Sequence, residues 1–188
     1  MQRGRSNVVS TFMLIKGSQI QATRDVLAGF DPTRSAKDNL EYFKVNDPAG
    51  VGTANWRRDL AFVLQRRYQL DGADRILIDL AKSPVSPDVW CAVLLYHMTR
   101  DEFLVRDFLI EWLFPRHQAG VWRLRPEDLG EYIEQLHRRK DVVVKEAWSP
   151  RTTHDTQAAL LRWAVDFGLM SGNKTREFVP YHLPDEAL

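Results

Sequence analysis

The stretch Trp148-SPRTTHDTQAALLRWAVDFGLMSGNKTREFV-Pro180 decides how this chain is read. Ser149-Pro150 is a helix start: a hydroxyl that caps the first turn, then a proline where a missing N–H costs nothing. Thr153, Gln157, Leu160, Trp163, Ala164 and Phe167 recur at three-and-four spacing, which predicts a helix with one inward face. Gly168 is placed to end it. Leu169-Met170, a turn at Ser171-Gly172-Asn173-Lys174, and Thr175–Val179 then predict a small β-hairpin. Helix, helix and a basic-tipped hairpin follow in the order of a winged helix-turn-helix, so duplex DNA is the first partner to consider.

On a wheel of about 100° per residue with Leu160 inward, Arg151, Asp155, Ala158, Arg162 and Asp166 face outward, with Thr152 and His154 on the flanks. A recognition helix offers its first turns to base edges and phosphates, so Arg151, Thr152 and His154 are candidate contacts, with Arg162 further along. Lys174 and Arg176 on the hairpin are placed to grip the adjacent backbone. Arg138-Arg139-Lys140, ending the preceding helix, form a third basic element. The plain alternative is a mixed-charge surface: Asp155 and Asp166 share the face of the two arginines, and Arg138–Lys140 suit the C-terminal end of their own helix dipole. Arg57, Arg58, Arg66 and Arg67 along an earlier helix are a second candidate surface, equally well explained as a solvated face.

Working outward, the signals are mostly helical. Ser18-x-x-Gln21 reads as a capping box opening a helix to about Ala28, broken by Asp31-Pro32. Ser35 caps a second helix through Tyr42-Phe43, and a turn-rich loop follows from Asn46 to Gly52. Thr53 or Asn55 caps a longer helix with Trp56, Leu60, Val63, Leu64 and Arg67 on one face. Asp71-Gly72 interrupts, and Ile76, Leu77 and Leu80 continue as far as Lys82. Ser86-Pro87 starts Asp88–Met98; Asp101 caps Glu102–Phe114, which Pro115 ends; Arg125-Pro126-Glu127-Asp128 opens a helix carrying Leu129, Tyr132, Ile133 and Leu136. Val142–Ala147 is ambiguous: its valines favour strand, its Lys-Glu-Ala favours helix, and in a winged helix it would be the short second helix.

The expected fold is therefore all-α: a compact multi-helix protein with a C-terminal winged helix-turn-helix-like unit ending in a small hairpin. Residues 1–84 form an N-terminal helical subdomain, and 85–188 a second one with the winged unit at about 125–180, packed as one globular body. The 188 residues are 44% hydrophobic and 11% aromatic, enough for a real core, while 26 basic against 25 acidic residues give a net charge of only +1. Any DNA-binding surface must come from segregation of charge.

One cysteine, Cys91, excludes an internal disulfide and a cysteine zinc site, and its apolar neighbours predict a packed core thiol. No secretory leader is visible, and Phe103–Phe114 is short and interrupted by Arg106, Asp107 and Glu111, so a cytosolic, soluble protein is expected. There is no phosphate loop, nucleophile elbow, HExxH or dinucleotide fingerprint. His97 reads as a satisfied core histidine. Asp107 and Glu111 sit one turn apart, which suits a metal but more simply a solvated face or a pairing with Arg106. No catalytic residue, metal site or cofactor is expected.

Across its length the chain resembles the BrxA family of BREX bacteriophage-defence systems. The features are Thr11-Phe-Met-Leu-Ile-Lys-Gly17, Ala22-Thr-Arg-Asp-Val-Leu27, Asn55-Trp-Arg-Arg-Asp-Leu60, Pro87-Asp-Val-Trp-Cys-Ala92, Leu104-Val-Arg-Asp-Phe-Leu109, Trp148-Ser-Pro-Arg-Thr-Thr153 and Leu160-Leu-Arg-Trp-Ala-Val-Asp-Phe-Gly-Leu-Met170. The resemblance implies a helical, non-enzymatic protein that binds double-stranded DNA beside larger BREX components: a methyltransferase, an ATPase and an alkaline-phosphatase-like protein. Rival readings are an interaction adaptor anchored by Trp112 or Trp122, and an RNA-binding helical module, which lacks a stacking platform on a sheet.

Overall fold

In the computed structural model, residues 7–11, 14, 16–46, 50, 52–144 and 147–187 are described. They are mostly helical, with a small antiparallel sheet toward the C-terminus, and fall into two compact units. The first spans Gln19–Asp101 with the tail from Leu183; the second spans Glu102–His182 with the segment leading up to Ser18. No helix among the described residues is long and apolar enough to cross a membrane.

The first unit holds α1 (Ile20–Ala28), α2 (Ala36–Asn46), α3 (Ala54–Arg67), α4 (Ile76–Lys82) and α5 (Pro87–Asp101). The expected caps form at α2 and α3, where Ser35 Oγ accepts from Asp38 N–H at 3.1 Å and Thr53 Oγ1 from Trp56 N–H at 3.3 Å. The cap position of α1 is Gln19, with no side-chain cap, rather than the expected Ser18. Gln19 precedes α1 at φ 55°, and the Ser18 hydroxyl instead donates to Asp166 Oδ2 at 2.7 Å. Leu60, Val63, Leu64 and Arg67 make the inner face of α3, as their spacing predicts, while Trp56 of the same stripe is half-buried. On α4 the buried positions are Leu77 and Ala81, while Ile76 faces out. Cys91 is half-buried rather than sealed in the core.

His97 is the satisfied core histidine its position predicts. Its Nδ1 lies 2.6 Å from Asp74 Oδ1, with Arg100 at 3.6 Å from the same oxygen and the Gln69 N–H on Asp74 Oδ2. Burial alone would raise the Asp74 pKa; the His97 hydrogen bond, the Gln69 N–H and the Arg100 charge outweigh it and hold the carboxyl below its ordinary value.

The second unit begins with β1 (Val8–Val9) and continues with α6 (Phe103–Asp107), a π-helical stretch at Phe108–Leu113 and α7 (Phe114–Gln118). Pro115 does not end this helix. A proline deep in a helix loses one bond and crowds the carbonyl four residues back. Here the turn before it is widened, the Phe114 N–H bonding Leu109 O five residues back, and the helix runs on to Gln118. Then come β2 (Arg123–Leu124), a 3-10 turn at Pro126–Leu129, α8 (Gly130–Arg138), β3 (Val143–Val144), α9 (Pro150–Asp166), β4 (Met170–Gly172) and β5 (Arg176–Phe178). The Arg125 signal starts this helical run as expected, with the Arg125 N–H held by Asp128 Oδ2 at 2.7 Å and Leu129, Tyr132, Ile133 and Leu136 all buried.

The ambiguous valines resolve as strand: Val143 and Val144 pair in parallel with Val8 and Val9, so they are no second helix. Lys145 and Glu146 lie outside the described residues. The antiparallel sheet has the order β2-β5-β4, with Arg123 opposite Glu177, Leu124 opposite Arg176, and Gly172 opposite Arg176 on the other side. The core of this unit gathers Phe108, stacked on Trp112 with ring centroids 5.6 Å apart, and Tyr132, together with Leu160, Leu161, Trp163 and Ala164 of α9.

Candidate nucleic-acid interface

Local chemistry fixes both ends of α9. Ser149 Oγ accepts from the Thr152 N–H at 3.1 Å and lies 2.9 Å from Thr152 Oγ1, so the Thr152 hydroxyl is engaged in the cap. At the far end the Leu169 N–H reaches Ala164 O and the Gly168 N–H reaches Val165 O, with Gly168 at φ 72°. That double bond pattern needs a left-handed residue, which glycine adopts without a Cβ clash. It turns the chain directly into β4.

Of the expected outer stripe Arg151, Asp155, Arg162 and Asp166 are exposed and Ala158 is half-buried; on the flanks His154 is exposed and Thr152 half-buried. Arg151 is the freest: its side chain is 91% exposed and its only ion pair among the described residues is a 3.6 Å contact with Asp155 one turn on. Such a pair is worth at most about 1 kcal/mol in water, so a phosphate can replace Asp155 at little cost. His154 sits 3.6 Å from the same carboxylate. Asp166 is engaged by Ser18.

Lys174 is exposed at the hairpin tip, where Gly172 has φ 100° and a Cβ would meet Thr175 O at 2.3 Å. The tight turn therefore depends on glycine. Arg176 departs from the sequence expectation. It lies on β5 beside buried Leu124, on the face opposite Glu177 and Arg123, and is only 6% exposed. Its Nε is buried with no acceptor. Burial pushes the guanidinium pKa down from its ordinary value, and the neighbouring Arg162 charge pushes the same way.

The Arg138–Lys140 run divides in three. Arg138 is exposed and 3.5 Å from Glu134; Lys140 is exposed. Arg139 is no open basic contact, because two carboxylates claim it. Its Nη1 lies 2.5 Å from Asp107 Oδ1 and its Nη2 2.6 Å from Asp141 Oδ2. The bonds to Asp141 and Asp107 together hold its pKa above the ordinary value. Asp107 is accordingly buried, taking Arg139 on one oxygen and the Tyr132 hydroxyl on the other at 3.0 Å, rather than facing solvent or pairing with Arg106. Burial, first, and the Asp107 charge keep Tyr132 protonated and donating.

The N-terminal arginines do not make one surface. Arg67 is fully buried, Arg57 donates to Lys44 O and Gly52 O, and Arg58 donates to Asn55. Trp112 is core, with its indole Nε1 buried, whereas Trp122 is 62% exposed with the Arg123 guanidinium 4.1 Å from its ring. Arg123 is a basic group the sequence reading passed over; its place opposite Glu177, at 2.9 Å, follows from strand pairing across 54 residues. Among the described residues no three His, Cys, Asp or Glu side chains are arranged to hold a metal ion.

Fold and site thus define a mostly helical protein whose second unit presents a capped helix and a basic-tipped hairpin. The chain matches the BrxA family over residues 22–188, and it belongs to that family of BREX phage-defence components. Membership implies other BREX components as its partners. No curated protein matches the chain.

Proposed function

We propose that the second unit binds double-stranded DNA as a winged helix-turn-helix, and that the protein serves BREX defence as a non-enzymatic DNA-binding accessory subunit. The observation that supports this reading is the connectivity after Glu102: helix, β2, α8, the two-residue strand β3, α9, β4 and β5, with β2 paired to β5 in one antiparallel sheet and β3 paired apart from it with β1. In this arrangement α8 is the supporting helix, α9 the recognition helix and β4-β5 the wing. The exposed N-terminal turn of α9 supplies Arg151 and His154, and the wing tip supplies Lys174. Arg138 and Lys140 stand at the end of the supporting helix.

Because the net charge is only +1, affinity comes from these few cations on phosphates, with modest sequence preference. Arg151→Glu and Lys174→Glu, both at exposed positions, weaken binding to a labelled duplex while leaving the helical circular dichroism unchanged. Normal binding by both variants would discard this surface.

A second reading has one observation in its favour. The exposed Trp122 with Arg123 over its ring is the kind of aromatic anchor that protein interfaces use. A chain that co-purifies with another BREX component through Trp122, and has no duplex affinity at low salt, would be an adaptor.

A further inference from the structure

We propose that Asp155 is a specificity-determining residue of the α9 surface: its carboxylate stands where a phosphate would, between Arg151 and His154, and duplex DNA must displace it. This rests on the duplex reading above and adds an internal competitor to it.

The two Asp155 oxygens are divided between two side chains. Oδ2 lies 3.6 Å from Arg151 Nε, and Oδ1 lies 3.6 Å from His154 Nδ1. All three side chains are exposed on the first two turns of α9. Among the described residues, Arg151 and His154 are the only partners of Asp155. Other acids of this unit are tied into the fold: Asp107 holds Arg139 and Tyr132, Asp128 accepts the Arg125 N–H, and Asp166 accepts from Ser18.

Helix stability does not account for Asp155. An acid gains from the helix dipole within the first turn, and Asp155 lies in the second, behind an end already capped by Ser149. A pair four residues apart favours its helix most with the acid on the N-terminal side; Arg151 and Asp155 have the opposite order. What the carboxylate does is hold negative charge on the face offered to phosphates and claim two of the groups that would bind them.

An exposed pair shifts an equilibrium by about fivefold at most. The competitor is therefore weak enough to be displaced by a duplex held also at Lys174, Arg138 and Lys140. It still loosens the hold on an anion that meets α9 alone. A penalty met in every encounter, and offset only when the rest of the surface is engaged, works against accidental partners.

The test is anisotropy of the full chain on a labelled mixed-sequence duplex of about two helical turns, at low salt, where exposed charges are least screened. Wild type, Asp155→Asn, Arg151→Gln and the double variant form a cycle. Asp155→Asn is expected to bind about 3- to 10-fold more tightly than wild type, with an unchanged melting temperature. In the Arg151→Gln background the same change gains at most about twofold, because the cation it would free is gone. Asp155→Ala, which also removes the carboxylate, reproduces the gain.

Equal affinity of wild type and Asp155→Asn for a duplex that both bind overturns the competitor and leaves the duplex reading standing. A gain of the same size in both backgrounds is the general loss of a negative charge near phosphates, and overturns it too. Binding by Asp155→Asn where wild type has none upholds the competitor. Absence of binding by both overturns the competitor together with the duplex reading.

Discussion

Arg139 was expected on the DNA and is found holding the fold, and the two roles separate cleanly under mutation. Arg139→Met keeps an aliphatic stem but removes the guanidinium, which lies 5.8 Å from the centre of the Phe103 ring, and with it the fork to Asp107 and Asp141. Asp107, whose side chain is 3% exposed, is then left, among the described residues, with the Tyr132 hydroxyl. Removing one partner of a buried pair costs about 3–5 kcal/mol. The Arg139 side chain is 34% exposed, so solvent screens part of that attraction, and the surviving Tyr132 bond keeps part of the carboxylate satisfied. The loss expected is about 2–3 kcal/mol.

Asp107→Asn combined with Arg139→Met removes the stranded charge and recovers at least half of that loss. Urea unfolding of the four proteins in the cycle, followed by circular dichroism, measures it. Below the transition, Arg139→Met binds duplex within about twofold of wild type, since a position already neutralised by two carboxylates contributes little to phosphate binding. Stability unchanged within about 0.5 kcal/mol, or duplex binding reduced as far as by Lys174→Glu, would refute the reasoning.

Two further outcomes follow from the geometry. Gly172→Ala puts a Cβ 2.3 Å from Thr175 O at φ 100°, which costs roughly 1–3 kcal/mol locally; duplex affinity falls while far-UV circular dichroism keeps its helical signal. His137, edge-on to Trp148 at 4.5 Å with Nε2 buried and unbonded, has its pKa held below 6.5 by burial. The unfolded chain therefore binds more protons once pH drops through 6.5, and stability declines from there down to the lowered folded value. Melting temperature against pH shows that decline, and His137→Phe flattens it.

What the sequence discloses here is what neighbouring residues decide among themselves. Ser149, Ser35 and Thr53 cap the helices that follow them because a cap needs only a side chain and an N–H three residues on. Gly168 stops α9 for an equally local reason, and the apolar stripe from Gln157 to Phe167 is buried as its spacing requires. The Ser18 box is as good a local signal, yet α1 is entered through Gln19 in the left-handed conformation, and the Ser18 hydroxyl donates to Asp166, 148 residues away. Pro115 is a sound stop signal defeated by a π turn that relieves its clash.

The basic residues of the candidate site follow the same division. Arg151 and Lys174 are exposed where helix phase and turn position put them. Arg139 is spoken for by Asp107, 32 residues away, and Arg176 is buried where strand pairing sets it opposite Leu124, 52 residues away, distances over which a single sequence carries no pairing signal.

The most direct test of the account is fluorescence anisotropy of the full chain on a labelled duplex of about two helical turns, titrated at several salt concentrations. With Arg151, Lys174, Arg138 and Lys140 on phosphates, the logarithm of affinity falls against the logarithm of salt with a slope of about 3–4. Absence of binding at low salt, or affinity indifferent to salt, would contradict it.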